Sequence, residues 1–399
     1  MSTPHLNHIG GQWLPAQSGA GFEDRNPADE RDLIGEFPDS GAADVAAAVA
    51  AVTAAWPAWA AASPEVRADV LFKAADTMSR RADAIAAELT REEGKTLAEA
   101  RMEARRIAAN FRLYAGEALR LNGETYPSES GQIVLSLRQP VGVVAVITPW
   151  NFPLSMAARK VAPALAAGNG VIFKPSEITP LMGQRLVEVL LDAGVPPNLL
   201  ALVQGRGPTV GQAITAASGV DAITFTGSYG VGRQIAAAVS TDTRCQLEMG
   251  GKNATVVLAD ADLDKAAAII ARGAFGLTGQ ACTGTSRVLV ARPLYQPLVE
   301  KLVEAVGKIK VGPGTEEGIQ MGPLATRAQY DKVLSYVEIA RGEGGRVAVG
   351  GESLRDAGDE RLAHGYFVRP AVVCDLAADS RLLREEIFGP VVAVRAIDS

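Results

Sequence analysis

Histidine and cysteine are scarce in this 399-residue chain, with three of each. His5 and His8 sit near the N-terminus, in a stretch with no clear structural pattern, and His364 stands alone. A cysteine–histidine pair of the protease kind is therefore a poor reading. Cys245, Cys282 and Cys374 are far apart, odd in number and free of CxxC spacing or neighbouring histidines, which argues against a metal centre. A reducing, cytoplasmic setting is expected. A basic excess is missing too: 39 Lys and Arg stand against 45 Asp and Glu, a formal net charge of −6. No nucleic acid partner is expected.

Long apolar runs are also lacking. The most apolar stretch, 45–59, is largely alanine, has Asp44 at its edge and is interrupted by Pro57, short of the roughly 20 residues of a membrane span. It reads as a soluble helix, and no membrane partner is expected. The opening MSTPHLNHIGGQWLPA has neither the basic nor the apolar region of a signal peptide. No short-period repeat or low-complexity linker is found.

What is present is a hydrophobic content of 48%, more than one core organises at this length, so two or three structural units are expected. Residues 42–121 carry a helical pattern, with Ser63-Pro64-Glu65 as an N-cap followed by proline in the first turn. Residues 122–140 change to turn residues and the alternating run IVLSL, which reads as a strand or hairpin forming an arm. Then come VGVVAVIT (141–148), VIFK (171–174), LLALV (199–203) and AITFT (222–226), separated by helical patterns. Such alternation indicates a parallel sheet covered by helices. A second series starts with TVVLAD near Thr255 and continues through RVLVA (287–291) to FVRPAVV (367–373), placing a boundary near Gly250-Gly251.

Several short motifs could carry chemistry. Thr148-Pro149-Trp150-Asn151-Phe152-Pro153 stands where a strand gives way to a helix, and free N–H groups and the helix dipole gather ligands at such places. It reads equally as a plain proline-rich turn, although an Asn there could donate to an oxyanion. Lys174 and Glu177 in VIFKPSE, a lysine and a carboxylate three apart, read more readily as a solvated surface pair than as a site. Gly227-Ser228, with Gly230 and Gly232, lets a backbone approach a pyrophosphate, but lacks the GK[ST] of a P-loop and departs from GxGxxG. Glu248 in LEMGGKN offers a carboxylate base and Cys282 in GQACT a thiol nucleophile. Cys245 and Cys374 lie in runs that read as buried and inert.

Taken in order, PWNFP, KPSE, FTGS, LEMGGKN, GQACT and EEIFGPV closely resemble the motifs of the aldehyde dehydrogenase superfamily, from residue 149 to 391. The resemblance implies a Rossmann-like cofactor domain (1–120 and 141–249), an oligomerisation hairpin (121–140) and an α/β catalytic domain (250–399). It implies oxidation of a small-molecule aldehyde to the acid with NAD or NADP. Cys282 would be the nucleophile, Asn151 and the Cys282 N–H the oxyanion donors, Glu248 the base for the hydrolytic water and Lys160 an electrostatic support. Lys174 and Glu177 would meet the adenosine ribose, with Gly207 near the adenine. Gly227, Ser228 and Gly232 would surround the pyrophosphate. Glu386 would hold the nicotinamide ribose and Phe388 flank the ring, and Thr148, Trp150 and Met249 complete the cofactor contacts.

Family members continue for several tens of residues past EEIFGPV, so the catalytic domain is expected to be C-terminally incomplete here, with a homodimer or homotetramer expected only for the complete form. A non-catalytic dinucleotide-binding form is the alternative. A CoA-acylating relative is disfavoured by Glu248, which such relatives often lack. Glu177 favours NAD, because a 2′-phosphate would bring like charges together. If a helix runs on from Pro153, Asn151, Ser155 and Arg159 follow at spacings of four along one face. Arg159 would then lie about 12 Å of helix rise from Asn151, and an arginine in this place resembles family members acting on succinate or α-ketoglutarate semialdehyde, which implies that its guanidinium binds the distal carboxylate. A neutral aliphatic or aromatic aldehyde is the alternative.

Overall fold

β-Branched runs build the first sheet. In the computed structural model, which describes residues 5–398, Val143–Ile147, Gly170–Lys174, Leu200–Leu202 and Ala222–Gly227 are parallel strands. The sheet runs Arg244–Met249, Ala222–Gly227, Val143–Ile147, Gly170–Lys174, Leu200–Leu202, Asn7–Ile9 and Gln12–Leu14. From Val143–Ile147 the chain winds outward through the next two parallel strands, then returns to Ala222–Gly227 on the opposite flank. The carboxyl ends of Val143–Ile147 and Ala222–Gly227 thus form a topological switch point, where open α/β sheets bind ligands.

Ala42–Ala60 is long and apolar enough to cross a membrane by length and composition, yet it lays one face against the sheet of this unit. It buries Val45, Ala48, Val49 and Val52, and a Cβ added at Gly170 of the sheet would lie 2.4 Å from Val52. Pro57 does not interrupt it, contrary to the sequence reading. Trp59, the penultimate residue of the helix, is anchored by an indole N–H donated to the Leu165 carbonyl at 2.9 Å, which holds the last turn despite the missing donor.

The second sheet runs Ala254–Val257, Arg287–Ala291, Val391–Ile397, Ala371–Cys374 and Arg346–Val349. The first four are parallel and the last is an antiparallel edge. Val288, Val290, Val392 and Val394 bury one face against the helices Leu263–Phe275 and Tyr295–Gly307.

Two compact units result. One comprises residues up to Asp24, Gly35–Ala86 and Arg101–Glu248; the other comprises Arg25–Ile34, Ala87–Ala100 and the chain from Met249. The sequence reading kept 1–120 in one piece, whereas two short stretches of it group with the second unit. Thr125–Tyr126 and Val134–Leu135 pair as an antiparallel hairpin that exposes Ile133, Leu135 and Leu137.

Other readings need correction. His8 lies in a three-residue strand, is buried, and meets the Leu200 carbonyl through Nδ1 at 2.9 Å. Only Ala371–Cys374 of the run FVRPAVV continues as a strand; Val368 makes an isolated bridge with Ser353. Cys245 is exposed, because its strand is the sheet edge. Cys374 is buried, which pushes its thiol up to about 11.

Candidate active site

In the first unit, Thr148, Trp150 and Asn151 leave the strand Val143–Ile147 at the switch point, and Asn151 is buried. The side-chain hydroxyls of Thr148 and of Thr226, on the neighbouring strand, are buried without a hydrogen-bond partner among the described residues. Buried polar atoms are rarely left so, and a ligand at this edge would satisfy them. Beside them, a Cβ on Gly227 would lie 2.5 Å from the Phe225 ring, so only glycine fits. Ser228 then caps the helix Tyr229–Ala238, its hydroxyl accepting from the Val231 N–H, and Gly232 is buried on the first turn. This open helix start suits a pyrophosphate.

The helix Pro153–Ala166 is different. Its first amides are already taken: Leu154 and Ser155 donate their N–H groups to Glu103 Oε1 at 3.1 and 2.9 Å. Glu103, from the helix Leu97–Ala118, is buried. This helix start is therefore closed to an anion.

Lys174 and Glu177 are not a solvated pair. Lys174 is buried, and Nζ donates to the Pro175 carbonyl at 2.8 Å and to Glu177 Oε2 at 3.4 Å. The Gly207 N–H donates to Glu177 Oε1 at 3.3 Å. Burial pulls the Lys174 ammonium below its usual range despite Glu177. Burial also raises the Glu177 carboxyl, but Lys174 and the nearby N–H groups outweigh it and leave it below normal. A fixed anionic acceptor at this position suits ribose hydroxyls.

Glu248 stands near the end of the strand Arg244–Met249. Gln246, on the same face two residues earlier, donates Nε2 to Glu248 Oε1 at 2.9 Å. Lys160 is buried and donates Nζ to Thr224 Oγ1 at 2.9 Å, Gln246 Oε1 at 3.2 Å and the Phe225 carbonyl at 3.3 Å. Burial lowers its pKa to about 8, with Glu248 opposing.

In the second unit, Cys282 occupies a turn closed by the Gly284 N–H on the Ala281 carbonyl at 2.9 Å. Asn253 Nδ2 donates to the Cys282 carbonyl at 2.6 Å and the Gly284 carbonyl at 3.1 Å. The turn's carbonyls are thus gathered on one side, and among the described residues nothing accepts the Cys282 N–H. Upstream, Leu277 and Thr278 adopt left-handed φ of 55° and 56°. Leu277 N–H donates to Glu99 Oε1 at 2.7 Å, Thr278 Oγ1 to the Gly322 carbonyl at 3.2 Å, and Gln280 Oε1 accepts from the Ala325 N–H at 3.0 Å. Gly279, with φ 68°, passes so near Gly389 that a Cβ would sit 2.3 Å from its carbonyl oxygen. The loop that carries Cys282 is therefore pinned along its length.

The Glu386 carboxylate accepts the Gly251 N–H at 3.3 Å. Phe388 has φ 61°, and its carbonyl and that of Ile387 accept from Gln329 Nε2 at 2.7 and 2.8 Å. Lys252 is half-buried, its Nζ is buried and has no hydrogen-bond partner among the described residues, and burial together with Arg287 lowers it to about 8. Cys282, Asn253 and Glu386–Gly389 precede the strands Arg287–Ala291, Ala254–Val257 and Val391–Ile397. They therefore gather at the amino ends of a parallel sheet, the edge that the usual rule for ligands does not select.

Arg159 is exposed. Asn151, however, lies before the helix, whose N-cap is Phe152. The argument from helix rise therefore does not reach Asn151, and the expected single face holds only for Ser155 and Arg159.

The sequence matches the aldehyde dehydrogenase family over residues 13–399. The chain belongs to that family. It is 42% identical over 397 residues to an alpha-ketoglutaric semialdehyde dehydrogenase of Bacillus subtilis, covering 99% of this chain and 81% of the relative. It is 40% identical over 387 residues to a 2,5-dioxopentanoate dehydrogenase of Saccharolobus solfataricus, covering 96% and 79%. Among solved structures it resembles PnpE in complex with nicotinamide adenine dinucleotide, with a TM-score of 0.96 and 36% identity over 100% of this chain and 81% of that one.

Within this aldehyde dehydrogenase, sequence reasoning missed Glu99, Glu103, Gln246, Lys252 and Asn253 as neighbours of site residues. The last three lie in or beside LEMGGKN, so proximity to the motif could have raised them. Nothing local singles out Glu99 or Glu103 among the many charges of a helical block.

Proposed function

We propose that this aldehyde dehydrogenase oxidises a semialdehyde bearing a distal carboxylate to the corresponding dicarboxylate, with NAD as cofactor. The observation that carries the chemistry is the Cys282 turn, whose carbonyls are held by Asn253 while the Cys282 N–H stays available. The Cys282 thiolate adds to the aldehyde carbon, and the resulting oxyanion takes hydrogen bonds from the Cys282 N–H and the Asn151 amide. NAD, when bound, supplies the hydride acceptor. Loss of hydride from the adduct leaves a thioester on Cys282. Glu248 then takes a proton from water as that water attacks the thioester carbon, and the carboxylic acid leaves with the Cys282 sulfur released.

The residues of the first unit fit the dinucleotide: the two orphan threonine hydroxyls, the helix start at Ser228, and the anionic Glu177 held by Lys174 and Gly207. Glu386 and Phe388 are the residues assigned to the nicotinamide end. The carboxylate-bearing substrate is supported by the exposed Arg159 and by the two relatives, whose names both describe a five-carbon aldehyde ending in a carboxylate. The exposed apolar residues of the hairpin support a homodimer or homotetramer.

The test is NADH formation with succinate semialdehyde and NAD. Wild-type protein is expected to turn over, and Cys282→Ser to bind NAD without turnover. Steady oxidation by the Cys282→Ser variant rules out the thioester route.

A further inference from the structure

Lys160 and Glu248 act on each other electrostatically, yet they do not touch. The three N–H groups of the Lys160 ammonium are all used, by Thr224 Oγ1, Gln246 Oε1 and the Phe225 carbonyl, and an ammonium has no fourth donor. What reaches Glu248 is Gln246. Its amide oxygen accepts from Lys160 and also from the Thr224 hydroxyl in a short contact, which fills both lone pairs. The amide is not turned over, because its NH2 would then face the Lys160 ammonium and its oxygen the Glu248 carboxylate. Nε2 is left with one direction, and it donates to Glu248 Oε1 at 2.9 Å.

The geometry points to Gln246 as the positioning residue of the hydrolytic base: it occupies Oε1 of Glu248 and leaves Oε2 to receive the proton of the attacking water. Among the described residues no donor is found on Oε2. This role rests on the reading of Glu248 as the base. A carboxylate on an exposed strand edge otherwise rotates freely, and a base in the wrong rotamer does not reach its water. Because Gln246 touches neither aldehyde carbon nor sulfur, its loss acts on hydrolysis of the acyl group and not on its formation.

The acyl-enzyme can be made directly by treating the NAD-saturated protein with p-nitrophenyl acetate. The Cys282 sulfur attacks the ester carbonyl, p-nitrophenolate leaves, and a thioacetate remains on Cys282; water then yields acetate and the thiol. In Gln246→Leu, release of the nitrophenolate burst is expected within about twofold of wild type, while decay of the acetyl-enzyme slows roughly tenfold, the range of one hydrogen bond to a charged group. Hydroxylamine, which attacks a thioester without a base, is expected to bring the decay of variant and wild type together. If burst and decay fall in parallel, or decay is unchanged, or hydroxylamine fails to close the gap, Gln246 is not the positioning residue. Glu248→Gln separates the two readings. Decay at the wild-type rate in that variant removes Glu248 as the base, whereas slow decay there with normal decay in Gln246→Leu removes only the role of Gln246.

Discussion

Ser155 donates its backbone N–H to the buried Glu103 carboxylate at 2.9 Å, and Leu154 donates to the same oxygen. A negative side chain thus closes the positive end of the helix that follows Asn151. Glu103→Ala leaves two amides without an acceptor and is expected to cost about 3 kcal/mol of stability. Glu103→Gln keeps an acceptor oxygen and is expected to cost about 1 kcal/mol, the charge component alone. Urea denaturation of both variants checks this order, and equal stability of Glu103→Ala and wild type refutes the capping role.

Arg159 is exposed and has no ion-pair partner among the described residues. A guanidinium in that state is available to a carboxylate ligand. Arg159→Ala is expected to raise KM for succinate semialdehyde about tenfold or more and to leave KM for butanal nearly unchanged. Equal effects on both substrates assign Arg159 a structural duty.

Glu177 is the residue expected to set the cofactor preference. Its carboxylate is held ionised by Lys174, and a 2′-phosphate at 4 Å would meet about 4 kcal/mol of repulsion per charge pair at an effective dielectric of 20. The kcat/KM ratio of NAD to NADP is expected to exceed one and to fall about tenfold in Glu177→Gln. A ratio that does not respond to the substitution contradicts this assignment.

Lys252 predicts a pH-dependent stability. Its folded pKa lies at about 8 against a usual 10.5. Between those values the unfolded chain binds the extra proton, so stability rises with pH through that window; below it both states are protonated and the burial cost stands in full. That cost is on the order of 3 kcal/mol. Lys252→Met is expected to be more stable than wild type at neutral pH, with the difference shrinking toward pH 10. Urea unfolding of the two proteins at both pH values measures it. A difference independent of pH would show that the ammonium is not the cause.

The parallel strands were legible because continuous β-branched runs bounded by helical patterns have few other meanings. Three-residue strands such as Asn7–Ile9 give too little pattern to read, and Arg346–Val349 is a half-buried edge of only four residues. The motif residues were legible through family resemblance. Their supports were not: Glu99 reaches Leu277 across 178 positions and Glu103 reaches Ser155 across 52, contacts that only the folded chain reveals. The reading of Lys174 and Glu177 as a solvated surface pair failed for a related reason, since local spacing does not report burial.

The placement of Cys282 ahead of its strand has a bearing on how such a protein diverges. The carboxyl-edge loops of the second sheet, after Arg287–Ala291 and Ala371–Cys374, carry none of the assigned chemistry. They are free to lengthen, shorten or change in composition while the amino-edge segments stay fixed by their contacts. Natural variation and grafted insertions should therefore accumulate on one rim of that sheet and be purged from the other.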